Sequence, residues 1–265
     1  MARIARALRR HFDRWDRPSQ IAFSTAFFLL VLATLNLVFG PQQTRQLTLV
    51  GFFGLMIITQ IIFMWANRGL VTPFTQAQRL YLAEDFEVAC DILEAARLTD
   101  KVTVNELALL GNAYRQRNML DESETVFRQA LVMNPKHHFS LYGFGRTLLI
   151  TGRYAEAASM FQQALKVGDS PVARLNLGEA LFRNSQSDEA RIPLEIALAE
   201  VTEPYQKLMA QYLLFQLKVG PGPQKSMLSE GLEYCQAQVR RYQHTAHGQA
   251  LMSDVRTMEI MFEEA

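Results

Sequence analysis

The sequence predicts an all-α protein, a two-helix transmembrane hairpin followed by an α-solenoid with a C-terminal capping helix. Three observations predict it. Two charge-free apolar stretches lie close together near the N-terminus. Small residues then recur every 34 or 33 positions, and an amphipathic stretch closes the chain. The expected organisation is a basic N-terminal segment (1–20), the hairpin (21–65, with spans 21–39 and 47–65), four repeats (70–203), and a degenerate repeat with capping helices (204–265).

Charge bounds the function. The 265 residues carry 27 Lys+Arg and 26 Asp+Glu. Residues 1–70 hold eight Arg and two Asp, a sum of +6, whereas residues 71–265 hold 19 basic and 24 acidic side chains, a sum of −5. A basic head on a mildly acidic body lacks the global positive field of a nucleic-acid binder. Two cysteines, Cys90 and Cys235, exclude a disulfide framework and a Cys-based zinc site.

The head, MARIARALRRHFDRWDRPSQ, reads either as a basic amphipathic helix, with Ile4, Leu8 and Phe12 on one side, or as a plain topology signal. After it, Ile21–Phe39 and Leu47–Trp65 are 19 residues each and uncharged. At the helical rise each spans roughly 28 Å, about one hydrocarbon core. The seven-residue connector GPQQTRQ makes them antiparallel neighbours. A secretory signal has a shorter apolar region and no second span behind it. Six Arg precede the first span, among them Arg9, Arg10, Arg14 and Arg17, against Arg45 alone in the connector. Basic flanks stay cytoplasmic, so both termini and the solenoid are placed inside, with a bacterial plasma membrane as the expected host. Trp15 and Trp65, the only tryptophans, fall at the cytoplasmic headgroup level of such a hairpin. Asn36 and Gln60 can bond to each other, to backbone or to a partner helix. Gly51 and Gly54 give a small-residue face for packing within the hairpin or against a partner.

Beyond residue 70, Ala77, Gly111, Gly145 and Gly178 are spaced by 34, 34 and 33. Ala89, Ser123, Ala157 and Ala190 keep step, as do Ala96, Ala130, Ala164 and Ala197. A large residue precedes the last set by three: Leu93, Phe127, Phe161, Leu194. Small residues let two helices cross closely while the large ones fill between them. This pattern resembles the tetratricopeptide repeat, W-x2-L-G-x2-Y … A-x3-F … P. The best copy, 104–135, has Leu110-Gly111, Tyr114, Phe127, Ala130 and Pro135, with Leu107 for the Trp and Ser123 for the first Ala. Helix signals agree with the division. Asp121 and Glu124 fit a capping box, Gly152 fits a C-terminal cap, and Pro171 and Pro204 start helices. Past 204 the pattern degenerates. Residues 247–263 put Leu251, Val255, Met258 and Met261 on one face, as an end cap or a partner-binding helix.

No catalytic motif is present, and the chain is read as no enzyme, without cofactor, metal or small-molecule substrate. His244 and His247 lack further ligands at a recognisable spacing and read as solvated turn residues. Gly143-x-Gly145 lies inside a helix and is no dinucleotide fingerprint. What remains is binding. The resemblance implies that the first helices of successive repeats line a concave groove. Carried over, that groove shows Asn105, Ala108 and Asn112, then Tyr142, Gly143 and Arg146, then Leu175, Asn176 and Glu179. Asn112 matches the family's peptide-backbone-binding Asn. Ala108, Gly143, Val172 and Asn176 occupy the other places of the carboxylate clamp, so that clamp is incomplete. Tyr142 and Arg146 are the expected anchors. The expected partners are the lipid bilayer and proteins, foremost membrane-complex subunits. The expected role is a membrane-anchored scaffold assisting their assembly or stability, or, alternatively, a permanent accessory subunit with the hairpin as interface.

Overall fold

The structure, a computed structural model, describes residues 12, 15, 17–67, 72–99 and 102–264. Arg9, Arg10 and Arg14, and with them most of the expected N-terminal helix, lie outside the described residues. The chain divides into two compact units, Met1–Thr72 and Pro73–Ala265.

In the first unit, α1 (Arg17–Phe39) and α2 (Arg45–Asn67) flank a short 3-10 turn, Gln42–Thr44. Both helices are long and apolar enough to cross a membrane. Their large side chains point outward: Phe28 is 61% exposed and Val50 74%. Trp15 is buried, its ring edge-on to Phe23 at 5.1 Å and to Phe63 at 5.6 Å. Trp65 remains exposed. Asn36 and Gln60 do not meet. In an antiparallel pair they fall at opposite ends, so Asn36 Oδ1 instead accepts from Thr48 Oγ1 at 3.4 Å beside the connector. Gly40 closes that turn, donating its N–H to Asn36 O at 2.7 Å. A Cβ built on Gly51 or Gly54 meets nothing within 4 Å, so this small face packs on nothing in the hairpin.

The second unit is a stack of antiparallel helix pairs. They are α3 (Pro73–Leu82) with α4 (Phe86–Arg97), α5 (Val104–Gln116) with α6 (Leu120–Met133), α7 (His138–Ile150) with α8 (Tyr154–Val167), and α9 (Pro171–Arg183) with α10 (Ser187–Glu200). Then come α11 (Pro204–Gln216), α12 (Lys225–Tyr242) and α13 (Ala246–Glu264). The periodic residues form the core: Ala89, Ser123, Ala157 and Ala190 are fully buried, and so are Phe127, Phe161 and Leu194. A Cβ on Gly145 would lie 2.7 Å from Phe161 Cε1, and one on Gly178 2.5 Å from Leu194 Cγ. Only glycine admits the second helix this closely. Gly143 is the companion case, its Cβ position 2.3 Å from Phe127 Cζ. Ser123, which departs from Ala, satisfies its hydroxyl by donating to Gly111 O at 2.8 Å.

A second period emerges in the backbone. Glu84, Asn118, Gly152, Ser185 and Lys218 all have φ between 60° and 84°. Each ends a first helix, and the next N–H bonds back to the helix: Asp85 to Leu80 O, Met119 to Tyr114 O, Arg153 to Leu148 O, Gln186 to Leu181 O and Val219 to Leu214 O. This is the left-handed closure that satisfies orphan carbonyls, and α11 shares it. It also displaces the expected capping box. α6 starts at Leu120 behind Met119, which makes no side-chain cap. Asp121 therefore falls in the first turn, and Glu124 pairs with Arg153 at 2.7 Å and Arg128 at 2.5 Å. The capping box forms at Thr103 and Glu106 instead, ahead of α5. Pro171 and Pro204 do open α9 and α11.

Ala at a helix interior ordinarily gains about 1 kcal/mol over Gly. Here the steric clash wins. Gly145→Ala lowers unfolding stability by about 1–3 kcal/mol in urea titration, whereas Gly51→Ala, with open space around it, does not.

Candidate functional site

The first helices α5, α7, α9 and α11 present one side of the stack, and the residues predicted for the groove lie on them. That face is not open. α12 and α13 lie across it as a C-terminal hairpin. Tyr234 of α12 stacks on Tyr205 of α11 with ring centroids 3.8 Å apart. At its far end, the Tyr242 hydroxyl donates to Arg115 O of α5 at 3.4 Å. α13 then returns. Ala246 packs tightly against Gly152, and Asp254 reaches α9. Leu251, Val255 and Met258 are buried, so the predicted apolar face docks on the stack rather than capping its end alone.

A buried charge cluster locks the hairpin. Arg183 Nη2 lies 2.5 Å from Asp254 Oδ2 and 3.2 Å from Glu179 Oε1, and all three side chains are nearly inaccessible. The Tyr212 hydroxyl adds a donor to Asp254 Oδ1 at 3.3 Å. Burial works against the charge of Glu179, but facing His247, Arg183 and Arg146 hold its carboxyl below the usual carboxylate range. The two arginines carry that effect, because His247 is itself neutral. Burial, opposed by Glu179 and reinforced by the two arginines, pushes the His247 ring down to about 4. Its Nδ1 stands 3.8 Å from Glu179 Oε1 and has no hydrogen-bond partner. The reading of His247 as a solvated turn residue is thus corrected; His244 alone is exposed.

The predicted groove residues divide accordingly. Asn176 and Glu179 are buried, and Tyr142 and Arg146 are half-buried. The Tyr142 hydroxyl accepts from Asn176 Nδ2 at 3.0 Å, and Arg146 Nη1 donates to Asn176 Oδ1 at 3.4 Å. Asn112 is engaged within its own helix, donating to Ala108 O at 2.9 Å and accepting from Arg115 Nη2 at 2.9 Å. Asn105 stays exposed, its Oδ1 3.0 Å from His137 Nε2. A small chamber of about 60 Å³ under the hairpin joins Arg146, Asn176, Glu179, Cys235 and His247. Sequence reasoning missed Arg115, Arg183, Tyr242 and Asp254.

Residues 108–166 and 142–202 match the family model described as "Tetratricopeptide repeat". The solenoid is of tetratricopeptide type. A segment of 104 residues is 35% identical to human Tetratricopeptide repeat protein 21B, covering 38% of this chain and 8% of that protein. The chain thus spans a small part of that relative. A thermophilic TPR protein of Thermus thermophilus superimposes with TM-score 0.50 at 15% identity, over 71% of this chain and 97% of that one. MamA of Desulfovibrio magneticus RS-1 gives TM-score 0.44 at 16% identity, over 71% and 91%. The family match spans the second to fourth tetratricopeptide pairs and leaves the C-terminal hairpin outside it.

His247 ties docking to pH. Its folded pKa lies below its usual 6.5, at about 4. Its stabilising contribution is therefore complete above pH 6.5 and is lost as pH falls towards 4. Burial raises the Asp254 carboxyl, which titrates with the opposite sign, so the comparison is with His247→Leu. Protection factors over 246–264, taken against the intrinsic exchange rate at each pH, fall more steeply in the wild type than in that variant on acidification from 6.5 to 4.

Proposed function

We propose that the protein is a membrane-anchored tetratricopeptide scaffold that docks protein partners at the cytoplasmic membrane face and assists assembly or stability of a membrane protein complex. The observation that carries this reading is the joining of a tetratricopeptide solenoid to two 23-residue helices with outward apolar side chains. Left in water, those side chains form an exposed patch far beyond what a soluble monomer sustains. Lipid covers it. The excess of Arg before the first span favours both termini inside. The solenoid offers an extended surface for a protein, and among the described residues no group of side chains is placed to hold a metal ion.

Partner docking on the concave side involves Tyr142, Arg146, Asn176 and Glu179 and competes with the C-terminal hairpin. Asn105, outside the hairpin's reach on α5, stays available throughout. A second reading, a permanent accessory subunit, is favoured by the open glycine face at Gly51 and Gly54. Replacing the hairpin with an unrelated one separates the two: a scaffold keeps working and a subunit fails to assemble.

The scaffold reading is tested by purifying the tagged chain from membranes in mild detergent with quantitative mass spectrometry. Substoichiometric partial complexes are expected, recovered more strongly with Asp254→Lys, which repels Arg183 and frees the concave side. Adding Tyr142→Ala to that variant lowers recovery. A fixed stoichiometric set of subunits, unchanged by either substitution, overturns the scaffold in favour of the subunit.

A further inference from the structure

A second cleft, of about 290 Å³, opens between the C-terminal hairpin and the first tetratricopeptide pairs. Arg115 and Gln116 of α5, Arg146 of α7, and Gln238 and Arg241 of α12 line it, with Glu84 as the one carboxylate among its lining residues. Three guanidiniums share this space. Among the described residues none of the three lies within 4 Å of a carboxylate, unlike Arg183, which has two. Their partners are neutral amide oxygens: Arg115 bonds Asn112, Arg146 bonds Asn176 and Arg241 bonds Gln116. Arg115 is 7% exposed, and its Nε has no partner at all.

Burying a guanidinium without a counter-charge is unfavourable, and native proteins pair such groups. Glu84 on the exposed turn and the buried Glu179, which faces Arg146 but already pairs with Arg183, leave the three cations in excess of the carboxylates around them. A tetrahedral oxyanion of higher charge engages several guanidinium forks at once, and arginine's planar donors match phosphate oxygens in pairs. The volume suits one small polyanion and excludes a folded partner.

The geometry points to a binding site for a phosphate-type oxyanion, a phosphomonoester or diphosphate group, held by Arg115, Arg146 and Arg241 with amide donors from Gln116 and Gln238. Because Arg115 and Arg146 belong to the solenoid and Arg241 to α12, the bound anion bridges the hairpin to the stack. It holds the concave side closed. Occupancy of this cleft therefore sets how readily the hairpin opens, whatever later binds there.

The test uses the full chain in phosphatidylcholine nanodiscs titrated with inorganic pyrophosphate, followed by calorimetry and by hydrogen exchange over 225–242. Saturable binding that slows exchange is expected, weakening with added salt. Arg241→Gln, at an exposed position, and Arg146→Gln each weaken it about tenfold or more. Glu84→Gln, which removes the repelling charge on the exposed turn, tightens it. If pyrophosphate is inert but nanodiscs containing phosphatidic acid slow the same exchange, and Arg241→Gln and Arg146→Gln abolish that effect, the site takes its phosphate from a lipid headgroup. If neither source acts, or if the Arg→Gln variants bind as the wild type does, the proposal is overturned.

Discussion

The structure depends on one steric constraint, the absence of a side chain where the two helices of a pair cross. At Gly145 the ring of Phe161 occupies the space a Cβ would need, and at Gly178 the side chain of Leu194 does so. The close approach sets the spacing of the helix pair, and its repetition every 34 or 33 residues sets the stack. Everything functional follows from that placement. It turns Tyr142, Arg146, Asn176 and Glu179 to one side, and it leaves a face that the last two helices can enter.

That entry changes what a concave tetratricopeptide face means in this protein. Glu179, Arg183 and Asp254 are charges out of water, a state that is stable only while all three remain together. Removing one partner of such a cluster costs about 3–5 kcal/mol, because the others stay buried unpaired. The cluster therefore acts as a positional lock more than as a source of net stability. It specifies where α13 lies. His247 beside it, neutral and lacking a hydrogen-bond partner at Nδ1, is the weak point of that lock.

Legibility in the sequence tracked the range of the interactions. The packing period was readable because each contact repeats along the chain with the same small and large residues, as at Gly111 with Phe127 and Gly145 with Phe161. The helix starts at Pro171 and Pro204 were readable because proline acts on its own backbone. The capping box at Asp121 was misread because the left-handed Asn118 starts α6 earlier than side-chain pattern suggests. The contact of Trp15 with Phe63 was not readable, because a position near a span end says nothing of the side chain across the hairpin. The docking of the hairpin was not readable at all. Its contacts join residues 71 apart, as in Arg183 with Asp254, or 127 apart, as in Tyr242 with Arg115. No periodic signal marks them, and the α12 and α13 sequences have lost the repeat.

Cys235 offers the most direct measurement of the central claim, that the chain's own C-terminus fills its concave side. This thiol sits under the hairpin, 2% exposed, and burial pushes its pKa up to about 12. Its alkylation rate in the folded full chain, resolved from Cys90 by peptide mass spectrometry, reads opening of the hairpin. Strong protection, released in Asp254→Lys while Cys90 stays protected, is the predicted result. A Cys235 that reacts in the native chain as fast as an unfolded thiol contradicts the account.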